Sequence, residues 1–352
     1  MGSLTIREYT GSGEDWDAFV KQLSSCFYHQ FAYQYVVREY FKFTPVYLSA
    51  YKNGVLEGVL PLFLSKSIFF GKGLVSLPGA DEAGIVAEDE KVARALAEYA
   101  LTIAKKCGVD YMELRHNSDV LPEVYSDTSR AIFYLKLPDN PEILWRSIDQ
   151  NKRNKVRKAL RAGLSFRVVP SNQVPSFLPL FVRINALNKQ HLGSPFYGLS
   201  YFLSLYNHFP QQVHLFFVET KEKIPIGSAM RLSFNGRLSA VAAGSLHKFF
   251  PLAPNDLLYW GIIEFACKKG YALLDFGRSP IDSGSFQFKK QWKADVVQLY
   301  YHRWCLNNST FSLQTTDTMR SSSLMQIASE VWKHLPYLAV KTLGPYLVKH
   351  FP

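Results

Sequence analysis

Two stretches of this chain place their apolar positions in the same order. Residues 47–115 carry a strand-like run Tyr47–Tyr51, a Lys52-Asn53-Gly54 turn and a second run Val55–Leu64, followed by a glycine-rich patch. A stretch with helical spacing, Ala93–Lys106, is closed by Gly108 and leads into Tyr111-Met112-Glu113-Leu114-Arg115. Residues 213–278 repeat the series: Val213–Thr220, Lys221-Glu222-Lys223, Ile226–Phe234, Leu238–Gly244, helical Leu257–Lys269, Gly270 and Leu273-Leu274-Asp275-Phe276-Gly277-Arg278. Alternation with period two predicts half-buried strands, and recurrence at three and four residues predicts amphipathic helices. In both copies the helix ends on two lysines and a glycine, which suits the negative end of the helix dipole and a left-handed cap. A strand with one carboxylate and one arginine then follows. The pattern predicts one α+β module written twice.

Around the repeats, the spacing predicts a strand Leu4–Tyr9 and helices near Trp16–Leu23 and Tyr33–Phe41. It further predicts a strand Ala131–Leu137 and, after the Pro138-Asp139-Asn140-Pro141 turn, one helix Glu142–Ala162 ending at Gly163. Strand Ser165–Val169, helices Pro175–Leu192 and Leu199–His208, and a strand Val296–Trp304 complete the second half. Asn307–Ser323 reads as a Ser/Thr-rich linker, and Leu324–Phe351 as a helical tail cut by Pro336 and Gly344-Pro345. The expected domains are residues 1–140, 141–306 with the basic helix 142–162, and 307–352 as linker and tail.

Composition alters this picture in one respect, the charge. The 352 residues carry a formal net charge of +11, but residues 1–140 sum to −4 and residues 141–352 to +15. Eight basic residues lie between Trp145 and Arg167 (Arg146, Lys152, Arg153, Lys155, Arg157, Lys158, Arg161, Arg167), opposed only by Asp149. Solvated helices usually alternate charge for i,i+4 pairing. A helix this pure is either a solvated charged face or a surface for a polyanion: nucleic acid, a pyrophosphate-linked substrate or an anionic membrane surface. A hydrophobic content of 47% indicates a globular chain. No signal-like apolar start and no run of about 18 apolar residues is present, so the expected setting is cytoplasmic. Four scattered cysteines fit reduced thiols, with Cys107 and Cys267 expected to be small buried residues.

Few residues suggest chemistry. Asp275 and Arg278 leave the end of a central strand beside Gly277, either as a structural pair in a tight turn or as a site. Lys289, between Phe288 and Trp292, could steady a phosphate or a developing oxyanion, or be a lysine snorkelling from a β-hairpin. His191 and Ser194 lack the Gly-x-Ser-x-Gly elbow and acid of a nucleophilic site. The histidines lack metal-ligand spacing, and no P-loop or dinucleotide glycine pattern is present.

Taken in order, five motifs resemble one family. They are Asn151-Lys152-Arg153-Asn154-Lys155-Val156-Arg157-Lys158-Ala159, His191-Leu192-Gly193-Ser194-Pro195, Pro254-Asn255-Asp256-Leu257-Leu258-Tyr259-Trp260, Asp275-Phe276-Gly277-Arg278-Ser279 and Phe288-Lys289-x-x-Trp292. Together they resemble the FemAB-like acyltransferases, most closely those linked to exosortase/PEP-CTERM and exopolysaccharide systems. The resemblance implies an α+β fold of two tandem GNAT-like domains, each a mixed sheet flanked by helices. It also implies an N-acyl or aminoacyl transferase that forms an amide on a cell-envelope precursor, a peptidoglycan peptide or an exopolysaccharide amino sugar. The donor would be aminoacyl-tRNA or acyl-CoA, with no tightly bound cofactor and no metal. Carried over, Lys289 stabilises the oxyanion; Asp275, or water, would take the proton. Arg278, Lys152, Arg153, Lys155, Arg157, Asn255, Tyr259, His191 and Ser194 would bind substrate or phosphate. An Arg/Gln-x-x-Gly-x-Gly/Ala loop for coenzyme A is missing, and Lys293 replaces the glycine common after the Phe-Lys motif. A non-catalytic protein binding through its basic face is the rival reading. The tail 324–351 would touch the inner membrane face.

Overall fold

A computed structural model describes residues 3–306 and 323–351 and divides them into two compact units. The expected linker 307–323 lies, apart from its last residue, outside the described residues.

The first unit contains strands β1 (Leu4–Glu8), β2 (Thr44–Lys52), β3 (Val55–Ser67), β4 (Gly71–Ser76), β5 (Val86–Ala87), β6 (Tyr111–His116) and β7 (Ser126–Asp127). Its helices are α1 (Gly13–Leu23), α2 (Tyr33–Tyr40) and α3 (Glu90–Lys106). A late strand, β15 (Tyr300–Cys305), enters the same sheet in the order β1-β2-β3-β4-β6-β15-β7, with β5 on β3. The β2–β3 hairpin turns on Asn53 at φ 52° and Gly54 at φ 81°, the paired positive φ that a two-residue hairpin favours. Asp89 caps α3 by accepting from the Val92 amide. The helix then buries Val92, Leu96, Ala100 and Ala104 against Leu48, Leu60, Leu62, Leu74 and Met112. A Cβ on Gly58 would come within 2.6 Å of Val92 Cγ1, so the glycine sets how closely helix and sheet approach.

The second unit holds β8 (Arg130–Lys136), α4 (Pro141–Ser147), α5 (Gln150–Arg161), β9 (Ser165–Val168), α6 (Val174–His191) and α7 (Leu199–His208). It continues with β10 (Val213–Glu219), β11 (Pro225–Phe234), β12 (Arg237–Ser245), α8 (Pro254–Lys268), β13 (Leu273–Pro280), α9 (Gly284–Lys290) and β14 (Asp295–Gln298). The tail forms α10 (Ser323–His334) and α11 (Tyr337–Leu347). The strand order is β14-β8-β13-β12-β11-β10-β9. Both repeats therefore use three antiparallel strands, a helix and a returning parallel strand, with β4–β6 and β12–β13 as the parallel steps.

Several expectations need correction. The break expected at 140/141 falls earlier, because β8 joins the second sheet while β15 joins the first. The single strand 296–304 is therefore two strands in two sheets. The single helix 142–162 is two: buried Ile148 is extended (ψ 154°), and Arg153 turns back to donate to the carbonyls of Trp145, Arg146 and Ile148. The glycine-rich patch is itself strand β4. Gly344-Pro345 does not cut the tail, and α11 runs through both. Nor is the tail a separate domain, since its residues up to Val348 belong to the second unit, where Trp332 and Val340 are buried. Cys267 is buried as expected, but Cys107 is exposed.

In the first unit a chain of polar groups is fixed by its hydrogen bonds. His116 Nε2 accepts from the Ile85 amide (2.9 Å), so its proton sits on Nδ1 and is donated to His302 Nδ1 (3.2 Å). His302 Nε2 then donates to Asp119 Oδ1 (3.0 Å). Burial, reinforced by the neighbouring His302 and His29, holds the His116 pKa well below its ordinary value. In the second unit burial lowers His214 to about 4. Both groups are neutral when folded and protonated when unfolded below about pH 6.5, so stability rises with pH across that window. The urea midpoint is expected to fall as pH drops from 7 towards 5, and His116→Asn should remove part of the slope. A midpoint independent of pH over that range would contradict this reading.

Candidate functional site

In the second unit the register of the two strands continuing from the repeat is short. β12 and β13 pair only at Arg237↔Leu273 and Leu238↔Leu274. Further along, Ala240–Ala243 of β12 are partly exposed although they lie in the middle of a sheet. Beside them the β11–β12 register shifts between Met230 and Arg231, leaving Val241 without a register partner on β11. A bulge of this kind bends its strand and increases the local twist. The result is a wedge in the sheet whose β12 wall is built from small side chains.

The Asp275-Phe276-Gly277-Arg278 motif holds the opposite wall. Gly277 takes φ 76°, a conformation that disfavours a side chain. Asp275 Oδ1 accepts from the Gly277 amide at 2.6 Å, and Oδ2 pairs with Arg237 at 2.6 Å. Both side chains are about 5% exposed. Lys289, 7% exposed on helix α9, donates to the carbonyls of Gly277 (2.8 Å) and Arg278 (2.7 Å). It lies on a helix capped by Ser283 rather than on a hairpin. Charge-assisted bonds to carbonyls are the strong kind. They fix β13 where it departs from β12.

Aromatic rings pack behind this wall. Tyr259 of α8 stacks on Phe276 (5.3 Å), meets Phe288 edge-on (5.0 Å) and lies parallel to Trp292 (6.2 Å). Lys152 of α5 reaches into the same group, 3.6 Å from the Phe288 centroid and 4.9 Å from that of Trp292, and pairs with Asp256 at 2.8 Å. Burial lowers the Lys152 pKa, opposed by the Asp256 charge.

The structure divides the expected site residues. Asp275, Lys289 and Tyr259 surround the wedge. Lys152 and Arg153, expected to face a phosphate, are used internally: one bolts α5 to α8, and the other caps α4. Lys155 is half-buried, and exposed Arg157 lies over the Trp145 ring. Arg278 is half-buried at the β13 end, and Asn255 accepts from the Ser245 hydroxyl at 2.8 Å. His191 is stacked on His247 with centroids 3.7 Å apart, and half-buried Ser194 follows in the loop after α6. A shallow groove of about 430 Å³ beside α9 is lined by Asp149, Gln287, Lys290, Gln291, Lys293, Ala294 and Val296.

Three participants were missed from sequence: Arg237, Asp256 and Arg231. Arg231 did leave a signal, as a charge inside the apolar run Ile226–Phe234. Arg237 gave none, because a register pair brings it beside Asp275's strand. The segment between β12 and α8, residues 246–253, contains no glycine and forms a 3₁₀ turn. Among the described residues no cluster of His, Cys, Asp and Glu could hold a metal ion, and no helix is long and apolar enough to cross a membrane.

With this geometry established, comparison with known proteins gives a consistent result. Residues 146–290 match the family model described as Acetyltransferase (GNAT) domain. No curated protein matches the chain. Among solved structures, FemX is 14% identical, with 84% of this chain and 96% of that chain covered at a TM-score of 0.65. A C-terminal DUF2156 domain from Agrobacterium fabrum, assigned to a lysylphosphatidylglycerol synthetase, is also 14% identical, covering 88% and 96% at 0.58. A tandem GNAT protein from the clavulanic acid biosynthesis pathway is 10% identical, covering 87% and 100% at 0.53. The fold is FemAB-like: two tandem GNAT-like domains, each a mixed sheet flanked by helices.

Because Lys152 is 1% exposed, its pairing with Asp256 can be tested as a buried ion pair. Asp256→Ala should cost about 3–5 kcal/mol by leaving the ammonium uncompensated, whereas Lys152→Met with Asp256→Leu should recover most of that. A double-mutant cycle in urea measures the coupling, and additive losses would show that the pair is not a unit.

Proposed function

We propose that the chain is an N-acyltransferase of the aminoacyl-transferring kind, joining an amino acid from aminoacyl-tRNA to an amine of a cell-envelope precursor. The wedge between β12 and β13 carries the reading, because an activated carbonyl laid along the open β12 edge would meet backbone donors near the Val241 bulge. The amine nitrogen attacks the ester carbonyl, the new C–N bond forms, and the C–O bond to the tRNA ribose breaks. The amine proton ends on the leaving hydroxyl, relayed by water. Positioning supplies most of the rate, and no covalent enzyme intermediate is needed.

The roles of the two expected catalytic groups shift accordingly. Asp275, engaged by Arg237 and the Gly277 amide, holds the bend instead of taking the proton. Lys289 holds the Gly277 and Arg278 carbonyls and fixes the wedge wall. The glycine-free entry to α8 favours aminoacyl-tRNA over acyl-CoA, because a pyrophosphate is usually cradled by backbone amides that glycines let it approach. Lys158 and Arg161 are exposed on α5 and, with Arg157, leave a cationic face for the tRNA. A peptidoglycan peptide and an exopolysaccharide amino sugar both offer the required amine in the cytoplasm.

The test is a donor comparison with purified protein. Labelled aminoacyl-tRNA should give RNase-sensitive transfer to a nucleotide-linked muropeptide or amino sugar, while acetyl-CoA gives none. Transfer from acetyl-CoA alone would replace this donor assignment, and no transfer from either would favour the non-catalytic rival. Lys289→Ala should lower kcat at least tenfold and cost about 1.5–3 kcal/mol of stability for a lost charged hydrogen bond. Unchanged turnover would remove Lys289 from the site.

A peripheral membrane contact rests on a separate observation. The tail exposes Ile327, Val331, Leu338, Leu343 and Tyr346 alongside exposed Lys333 and Lys341. Apolar side chains with flanking lysines suit an anionic lipid surface. Vesicles rich in phosphatidylglycerol should cosediment the full chain, and Ile327→Ser with Leu338→Ser should abolish this. Equal sedimentation of that variant would rule out the tail.

A further inference from the structure

The second unit buries a guanidinium that has no counter-ion among the described residues. Arg231 is 1% exposed on central strand β11, and among the described residues its Nε and Nη2 have no hydrogen-bond partner. Its one bond, from Nη1 to the Met230 carbonyl, is long at 3.4 Å. Arginine has five donors and stays charged, so leaving it unpaired in an apolar interior costs several kcal/mol. Buried charges are normally paired, and an exception calls for a missing water or ion.

The surroundings indicate what is missing. Across the sheet, Arg231 is in register with His214 on β10 and Ala240 on β12, so neither neighbour supplies negative charge. His214 is engaged by Ser233 (3.0 Å) and Tyr271 (3.1 Å), and burial keeps it neutral. From α8, Tyr259 covers the guanidinium at 5.7 Å from the ring centroid. The carboxylates close to this aromatic group already have cations: Asp256 has Lys152, and Asp275 has Arg237. Trp292, stacked on Tyr259, adds an indole N–H that is buried and has no partner among the described residues. Ala240, opposite Arg231, begins the partly exposed stretch of the wedge.

We infer that Arg231 is the floor of a subsite that binds a carboxylate of the acceptor, entering through the wedge past Ala240 and Tyr259. The choice of acceptor rests on the transferase reading above; the anion site does not. A lone planar fork carrying one charge matches a carboxylate in bidentate geometry. A phosphate dianion would bring more charge than this cluster balances. The acceptor is then an amino-acid-bearing or peptide-bearing molecule whose carboxylate is held while its amine reacts, and not a neutral amino sugar.

The experiment measures binding without turnover. Thermal unfolding of the intact chain is followed at constant ionic strength in sodium chloride, sodium N-acetylalaninate, the uncharged N-acetylalaninamide, and sodium phosphate. The carboxylate should raise the midpoint by about 2 °C, and the amide should not. Arg231→Leu should lose the response, and Arg231→Lys, which keeps the charge but not the fork, should reduce apparent affinity at least tenfold. If the leucine variant does not fold, the lysine variant alone decides. No response in the wild type, an equal response in either variant, or a larger response to phosphate would each overturn the proposal. A carboxylate response without any transfer activity would leave the site standing and fail the transferase reading instead.

Discussion

Strand β13 leaves β12 after two register pairs, and the second unit is organised around keeping it there. A parallel pair that separates inside a sheet exposes backbone groups that would otherwise bond each other, so the separation has to be held open by bonds of comparable strength. Three side chains do this. Asp275 ties its own strand into a bend at Gly277, Arg237 anchors Asp275 from the neighbouring strand, and Lys289 takes up two carbonyls just past the bend. All three ionic groups are buried. Their value lies less in net stability than in fixing one geometry, since buried ion pairs often do no better than a well-packed apolar substitute. The same constraint explains why the aromatic group matters: Phe276 is carried on the strand being held, and Tyr259 stacks on it.

Charge in this unit is correspondingly divided between two purposes. The basic helix looked uniform in sequence, but its cations have different fates. Lys152 points inward to Asp256, Arg153 caps the preceding helix, and Arg157, Lys158 and Arg161 face outward. The inward pair can tolerate burial because each charge has a partner and the ammonium also lies against aromatic faces. The outward set repels itself without answering acids on the same helix, which is the remaining part of the argument for a polyanionic ligand. Separating the two reduces the apparent phosphate site from a whole helix to one face of it.

The repeat, and with it the fold, was legible because period-two and helical patterns are local properties. What sequence could not show was exchange between the sheets. Arg130–Lys136 and Tyr300–Cys305 both read as ordinary strands, and nothing in their residues says which sheet each enters. Pairing partners were hidden for the same reason. Each repeat's last strand carries one carboxylate and one arginine, and in the first unit the two pair, Glu113 with Arg115 two residues on. Burial would raise the Glu113 pKa, but Arg303 and Arg115 outweigh it and hold it at about 2. In the second unit the arginine of the motif gives way to Arg237, which only the sheet register could reveal. The break between α4 and α5 shows the converse: apolar spacing through Ile148 suggested continuity, although Ile148 is buried as the residue where α4 stops.

These differences give the duplication its functional direction. In the first unit, β6 pairs with β4 at three register positions and with β15 along its whole length, so that Glu113 meets two arginines. That buried carboxylate is paired, and the unit's polar chain of histidines is fixed in one tautomer. In the second unit the equivalent parallel step closes after two positions, a bulge lies on the neighbouring strand, and Arg231 has no anion among the described residues. A module whose buried acid is paired twice over has a source of stability in those bonds. Its copy keeps the same strands and helix but parts two of its strands after two register pairs and leaves a guanidinium without an anion among the described residues, so chemistry is to be sought there.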